Sequence, residues 1–369
     1  MIRVTHVIWR AHLGGIERLV HDLVAAQRLD EDLGVSVLFG TAVGDFMPAF
    51  QATGASLDSA DFDTGYDLAP RKLHRASRML ASADVIHVHT FVLPLALSAV
   101  ATRRPIVFTE HGNFSFGRKL RWSDYAKRPL SRAFMKHAVA HVTFNSEYTG
   151  RVWRQRYPGW RSPCSVVENG ILVGGSDEQG VAPAEDLTTW AGDSVIVGTS
   201  SRFATFKRID RLIDAFARCA LHRDAKLLLV GDGPLYRDIE RRVSRLGLTE
   251  RTLMTGFRSD VRACQSVMDV CVFASTAESF GLACVETLAL GKPTIVLHDG
   301  GGLTDIVRPL CADDVVESIA GLADRILYYC DHPEARTRPS EERRAYARRY
   351  DIKNTAAGFK KVYIALLKK

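Results

Sequence analysis

The stretch Val270–Leu297, VCVFASTAESFGLACVETLALGKPTIVL, reads as a strand, a loop, a helix and a second strand. Val270–Phe273 and Thr294–Leu297 are short continuous apolar runs, the pattern of strands buried on both faces. Thr276–Ser279 is then a loop at the carboxyl end of the first strand, and Ser279 the expected N-cap of a helix over Phe280–Leu290. Glu278 stands in the loop, and Glu286 falls about two turns along the expected helix. A helix N-terminus behind such a loop presents free backbone N–H groups and a positive dipole end, which suit a phosphate. Gly281 lets backbone approach a ligand closely. Spacing alone fits equally an ordinary βαβ element with two incidental glutamates.

The same alternation runs outward in both directions, as expected of α/β domains built on parallel sheets. Towards the N-terminus of this half lie strands at Val195–Ser200 and Lys226–Val230, with helices at Ile209–Ala220 and Leu235–Leu246. Beyond it come a helical stretch near 313–330, a polar break over 331–342 and an amphipathic helix near 351–367. In the first half the expected strands are Val4–Trp9, Val35–Phe39, Val85–Val88, Ile106–Thr109, Val142–Asn145 and Ser165–Val167. Ile16–Arg28 places Ile16, Leu19, Val20, Leu23 and Val24 on one helical face. Residues 174–192, small, acidic and Gly/Pro-containing, read as a linker. Two doubly wound domains follow, residues 1–172 and 193–345, with a last helix over 350–369.

Composition agrees with this reading. The 369 residues are 46% hydrophobic and 25% charged, which excludes wholesale disorder and fibrous classes. No apolar run approaches the ~20 residues of a membrane span, and the first residues lack the features of a signal peptide. Seven scattered cysteines, odd in number and without a C-x-x-C pair, fit buried free thiols in a reducing compartment. A cytoplasmic protein is expected. The net charge is +7, and residues 101–161 are the basic segment, with 13 Lys and Arg against 3 Asp and Glu. Such an excess is either solvated surface or a face turned to anions.

Further motifs make the reading specific. Glu278 and Glu286 with E-S-F-G-L at the first and G-K-P-T-I-V after the second resemble the signature of the retaining glycosyltransferases of family 4, which have the GT-B fold. SRFATFKRIDRLIDAF is similar to that family's G-R-L-x-x-x-K-G segment, with Arg202 and Lys207 at its arginine and lysine. LLLVGDGPLYRDIE is similar to its G-x-G-P turn at Gly231, Gly233 and Pro234. TGFRSDV, VVENGI, FTEHG, DVIHVHT and GGIERLV stand in the matching order, so the resemblance spans nearly the whole chain.

The resemblance implies two Rossmann-like domains facing across a cleft, with the last helix returning to the first domain. It implies that Arg202 and Lys207 neutralise a donor diphosphate and stabilise the leaving group. Glu286 would accept hydrogen bonds from ribose hydroxyls, and Glu278 would contact hydroxyls of the donor sugar beside the backbone of Phe280, Gly281 and Leu282. Gly14 and Gly15 would let backbone approach the diphosphate from the other domain, and His111 would lie near the reacting sugar. Three positions depart from the family pattern: Ser201 and Arg208 stand where glycine is usual, and Asp305 where glutamate is commoner.

Competing signals are weaker. His87 and His89 alternate along a strand as metal ligands can, with no third ligand evident at helpful spacing. Asp61-Phe62-Asp63 lies in a Gly/Asp-rich segment and reads as a plain loop, and Gly231-Asp232-Gly233 lacks the third glycine of a dinucleotide fingerprint. Residues 117–137 carry seven basic residues, among them Arg118, Lys119 and Arg121, interleaved with Leu120, Trp122, Leu130, Phe134 and Met135. No nucleic-acid module accompanies them, so peripheral contact with an anionic membrane at its inner face is the favoured functional reading, against a solvated helix face.

The expectation is therefore a retaining, metal-independent glycosyltransferase without cofactor. It would move a hexosyl-type group from a UDP- or GDP-sugar to a saccharide or glycolipid hydroxyl. The alternatives are a nucleotide-sugar epimerase on the same fold and a non-catalytic nucleotide-sugar-binding protein.

Overall fold

The computed structural model describes residues 1–12, 14–112, 122–173, 181–220 and 224–368, with backbone alone for 122–128. The chain forms two compact units, Met1–Leu172 with Asp351–Lys369, and Val173–Tyr350.

Unit 1 holds β1 (Ile2–Ile8), β2 (Leu33–Phe39), β3 (Ser56–Ser59), β4 (Val85–Val88), β5 (Ile106–Glu110), β6 (His141–Phe144) and β7 (Cys164–Val166). They pair in the order β3-β2-β1-β4-β5-β6-β7, every pair parallel. Unit 2 holds β8 (Val195–Ser200), β9 (Ala225–Val230), β10 (Thr252–Gly256), β11 (Val270–Phe273), β12 (Thr294–Leu297) and β13 (Val315–Val316). Their order is β10-β9-β8-β11-β12-β13, again all parallel. Parallel neighbours need long crossovers, and helices supply them, which is why apolar runs and amphipathic helices alternate.

Three strands were not evident from sequence: β3, β10 and β13. All three are sheet edges. An edge strand is covered less completely than a central one, so it needs no continuous apolar run. SLDS alternates exposed and half-buried residues, and every residue of β10 is half-buried. The polar break expected over 331–342 is instead largely helical, with helices Pro333–Thr337 and Ser340–Ala347. The second helix buries only Arg343 and Ala347, too little to leave an apolar stripe in the sequence. Arg343 donates instead to the carbonyls of Arg336, Ala335 and Gly291 at 2.7, 2.9 and 3.2 Å. Within the expected linker, Glu185–Ala191 is helical and 174–180 lie outside the described residues.

The helix Ile352–Leu367 belongs to unit 1. The Asp351 carboxylate caps it by accepting from the Lys353 N–H at 2.9 Å. Ile352, Ala356, Phe359, Val362 and Tyr363 share one core with Val4, Ile8, Leu19, Leu23 and Val35. At the rim, Lys360 reaches Asp30 and Asp32 at 2.8 and 2.7 Å. Phe359 is 1% exposed, and its ring lies 4.6 Å from that of His87. Phe359→Ala should therefore cost about 3–5 kcal/mol of unit 1 stability, read as a lower urea midpoint. A midpoint within experimental error of wild type would show that this helix does not hold the core.

Candidate functional site

In a doubly wound sheet the ligand crevice opens outside the carboxyl ends of the strands, where the strand order reverses. In unit 2 that point lies between β8 and β11, and the loops leaving β8, β11 and β12 are tied together by backbone hydrogen bonds. The Thr276 N–H donates to Phe206 at 2.8 Å, Ala277 to Asp299 at 2.8 Å, Glu278 to Gly300 at 3.1 Å and Gly302 to Glu278 at 2.7 Å. Arg211 clamps the Asp299 carboxylate with 2.8 Å contacts to both oxygens. Below them Gly231, at φ +139°, lets the turn after β9 press against the chain after β8; a Cβ there would sit 2.0 Å from the Ser201 carbonyl oxygen.

Arg208, where the family pattern has glycine, takes the left-handed conformation that glycine favours, φ 47° and ψ 43°. Its guanidinium is held by Asp210, with contacts of 2.8–3.2 Å. The loop geometry is thus reached without glycine, at a cost of roughly 1–2 kcal/mol. Ala277 is likewise left-handed, at φ 54°, immediately before Glu278. Two strained backbones flank one set of loops, as is common where a site is held in a fixed shape.

These loops bring several of the expected residues together. Lys207 and Glu278 form an ion pair through Nζ and Oε1, both side chains largely buried. The other oxygen, Glu278 Oε2, is buried and has no hydrogen-bond partner among the described residues. Glu286 is 6% exposed and accepts from Gln265 Nε2 at 3.3 Å, which also donates to Ser200 Oγ at 2.8 Å. Gln265 Oε1 is a second buried acceptor without a partner among the described residues. Arg202, on the same β8 loop, is exposed, and its guanidinium has no described partner. Gln265 was not anticipated; it sits on the helix Val261–Val267, in a segment whose sequence carries no motif.

The helix after this loop corrects one expectation. It runs Leu282–Ala289 with Gly281 as N-cap, not Ser279, so Glu286 lies little more than one turn in. Gly281 adopts φ +114°, and a Cβ there would meet Leu303 Cδ2 at 2.3 Å, so a bulkier residue could not turn the chain at this point. Phe280 is 2% exposed with its ring 5.6 Å from Tyr350, so its side chain is structural and only its backbone is available to a ligand.

The remaining expected residues belong to unit 1. Gly14 caps the helix Gly15–Arg28 behind β1, with extended backbone, and Gly15 begins it. His111 follows β5 directly and is 7% exposed. It ends a buried row. His111 Nε2 lies 3.2 Å from His89 Nδ1, His89 Nε2 lies 2.9 Å from His6 Nδ1, and His6 Nε2 lies 2.7 Å from Gln27 Oε1. Ring-nitrogen atoms of His6, His87 and His89 fall within 4.8 Å of one another, so the third ligand that the sequence does not show is His6. The close nitrogens are already paired in the row, and bonds of this kind satisfy buried imidazoles without an ion.

Several weaker signals settle. Asp61-Phe62-Asp63 is a loop in which Asp61 pairs with Arg75, Asp63 pairs with Lys72 and Phe62 is core. In the basic segment Phe134 and Met135 are buried in the unit 1 core, so they are not the apolar half of a membrane face; Leu130 is exposed. Arg132 lies over the Tyr157 ring at 5.4 Å. Arg118, Lys119, Leu120 and Arg121, and the Trp122 side chain, lie outside the described residues. Cys164 is exposed, whereas burial pushes Cys219 and Cys271 to about 12, far from a reactive thiolate.

Two parallel-sheet α/β units of seven and six strands are the architecture of the GT-B fold. Residues 13–173 match glycosyltransferase family 4 and residues 187–346 match glycosyl transferases group 1. The glycosyltransferase YqgM of Bacillus subtilis is 33% identical over 258 residues, covering 66% of this chain and 68% of that one. The chain belongs to the family 4 glycosyltransferases. N-acetyl-alpha-D-glucosaminyl L-malate synthase of Bacillus anthracis is 29% identical over 249 residues, 64% of this chain and 62% of the relative's length. Among solved structures, Anabaena Alr3699/HepE in complex with UDP and glucose superposes with a TM-score of 0.81 at 19% identity, covering 99% of this chain and 100% of that one.

The buried histidines set a pH dependence. Burial lowers His6 and His111 to about 4 and drives His87 and His89 well below the usual range. The folded state therefore binds fewer protons than the unfolded chain below pH ~6.5, and stability falls as pH drops from there towards 4. Each histidine contributes up to about 1.4 kcal/mol per pH unit in that window. The urea midpoint of unit 1 should fall clearly between pH 7 and pH 5; a constant midpoint would mean that the row is protonated in the fold.

Proposed function

We propose that the chain is a retaining glycosyltransferase that uses a UDP- or GDP-sugar and a saccharide or glycolipid hydroxyl as acceptor. One observation carries this reading: Glu278, held by Lys207, keeps a buried carboxylate oxygen free of any described partner at the sheet's switch point. An unsatisfied buried acceptor costs about 1–3 kcal/mol, and a sugar hydroxyl donating to it would remove that cost. Arg202 and Lys207 would carry the charge that develops on the leaving diphosphate, so that no divalent ion is needed for that task. Glu286, aligned by Gln265, would take the ribose hydroxyls, and the backbone of Phe280, Gly281 and Leu282 would border the sugar. Gly14 and Gly15 would approach the diphosphate and His111 the reacting sugar. With no assured nucleophile in this set, attack from the face of the departing phosphate is the mechanism proposed. UDP and glucose in the Anabaena structure support a nucleotide-sugar donor.

No helix among the described residues is long and apolar enough to cross a membrane. A lipid-linked acceptor would instead be met peripherally from the cytoplasmic side, through the basic charges of residues 117–137. Neutralising Arg118, Lys119 and Arg121 together should abolish co-sedimentation with anionic vesicles, and unchanged co-sedimentation would remove this part of the reading.

The function is tested by nucleoside diphosphate release from UDP-, GDP- and ADP-sugars, with and without a crude glycolipid extract. Slow release from one donor, accelerated by the extract, is expected. Lys207→Ala and Glu286→Gln should each lose about 99% of turnover while melting as wild type does, the range for a lost charge-stabilising contact. An epimerised donor without diphosphate release would mark an epimerase, and binding without release a non-catalytic protein.

A further inference from the structure

Gln27 stands at the meeting point of two buried hydrogen-bonded rows in unit 1. One runs from its Oε1 through His6 and His89 to His111, as described above. The other leaves its Nε2, which lies 3.5 Å from the Tyr363 hydroxyl. Tyr363 lies 2.7 Å from His87 Nδ1, His87 Nε2 lies 2.7 Å from Thr109 Oγ1, and Thr109 lies 2.7 Å from Thr143 Oγ1. Thr143 Oγ1 in turn lies 3.5 Å from the Phe108 carbonyl oxygen. His6, Gln27, His87 and Tyr363 are each 0% exposed and His89 is 1% exposed, so water does not break the rows.

In a neutral imidazole one ring nitrogen donates and the other accepts, so each ring passes on the direction it receives. Two directions are self-consistent along the whole path, and the Phe108 carbonyl, which can only accept, selects one. Thr143 donates to it, so Thr109 donates to Thr143, His87 Nε2–H to Thr109, and Tyr363 O–H to His87 Nδ1. Tyr363 then accepts from the Gln27 amide, which turns Oε1 towards His6. His6 Nε2–H donates to Oε1, His89 Nε2–H to His6 Nδ1, and His111 Nε2–H to His89 Nδ1. The reverse order turns Gln27 round and leaves the Thr143–Phe108 bond unmade.

We propose that Gln27 and Tyr363 are positioning residues that hold His111 as its Nε2–H tautomer, so that its bare Nδ1 accepts a hydrogen bond from a hydroxyl of the sugar substrate. The choice of substrate rests on the transferase reading; the tautomer does not. Among the described residues Nδ1 has no other partner. Burial of the rings, which keeps all four neutral, is what allows the direction to be transmitted over three imidazoles. The last helix thereby acts on a residue at the mouth of β5 through a single phenol.

The test is nitrogen-15 NMR of the histidine rings in the full chain. Wild type should show His111, assigned by its loss in His111→Gln, protonated at Nε2 and bare at Nδ1. The opposite tautomer, or an even mixture, would overturn the proposal. Tyr363→Phe keeps the ring volume and cuts the second row from Gln27. It should turn His111 into a tautomer mixture and lower kcat about tenfold, with KM within about twofold of wild type. Should that variant not fold, Gln27→Met removes the junction itself and cuts both rows, with the same tautomer mixture expected. An unchanged His111 tautomer in a folded variant would also overturn the proposal, because a purely structural role leaves the ring as it was. A wild-type chain inactive on every donor would remove the transferase reading and leave the tautomer result standing.

Discussion

Within each unit every strand of the sheet runs the same way, and that constraint places the chemistry. A parallel sheet releases all its strand-to-helix loops along one edge, and the reversal of strand order opens a gap between two of them. In unit 2 the loop bearing Arg202 and Lys207 and the loop bearing Glu278 leave the two strands at that gap. Residues 71 positions apart, Lys207 and Glu278, meet there because β8 and β11 are neighbours in the sheet. The backbone bonds from Thr276 to Phe206 and from Ala277 to Asp299 then fix the spacing of three loops that share no sequence proximity.

Both units bury polar side chains, and some in each lack a partner among the described residues. In unit 1 one buried path, from the Phe108 carbonyl to His111, is satisfied by its own members, and the cost of burying its four imidazoles is met by keeping them neutral. In unit 2 acceptors on Glu278 and Gln265 have no partner among the described residues, and Arg208 and Ala277 beside them take left-handed backbone. Unpaired acceptors and strained loops lower stability at the place where a ligand would supply the missing donors.

The sequence revealed most of the fold because central strands of parallel sheets are covered on both faces and must be continuously apolar. It concealed β3 and β10, whose half-covered edge positions relax that requirement, β13, a buried Val-Val pair too short to read as a strand, and the helix Ser340–Ala347, whose one large buried side chain is an arginine. Of the candidate site, Arg202, Lys207 and Glu278 were singled out by the resemblance of their motifs to the family, and the fold brings Lys207 and Glu278 into contact. The cap at Gly281 was not, since a left-handed glycine serves where Ser279 has the better side chain for the task. Gln265 and the Gln27–Tyr363 contact were hidden for a different reason: they are made by packing, between residues 336 positions apart in the second case, and neither glutamine carries any local mark of its role.

The most direct measurement is a crystal structure of the chain with the nucleoside diphosphate of whichever donor it turns over. The diphosphate oxygens are expected within hydrogen-bond distance of Arg202 and Lys207, and the ribose hydroxyls on Glu286. An ordered nucleotide whose diphosphate touches neither cation would contradict the assignment of these strand-end loops as the donor site.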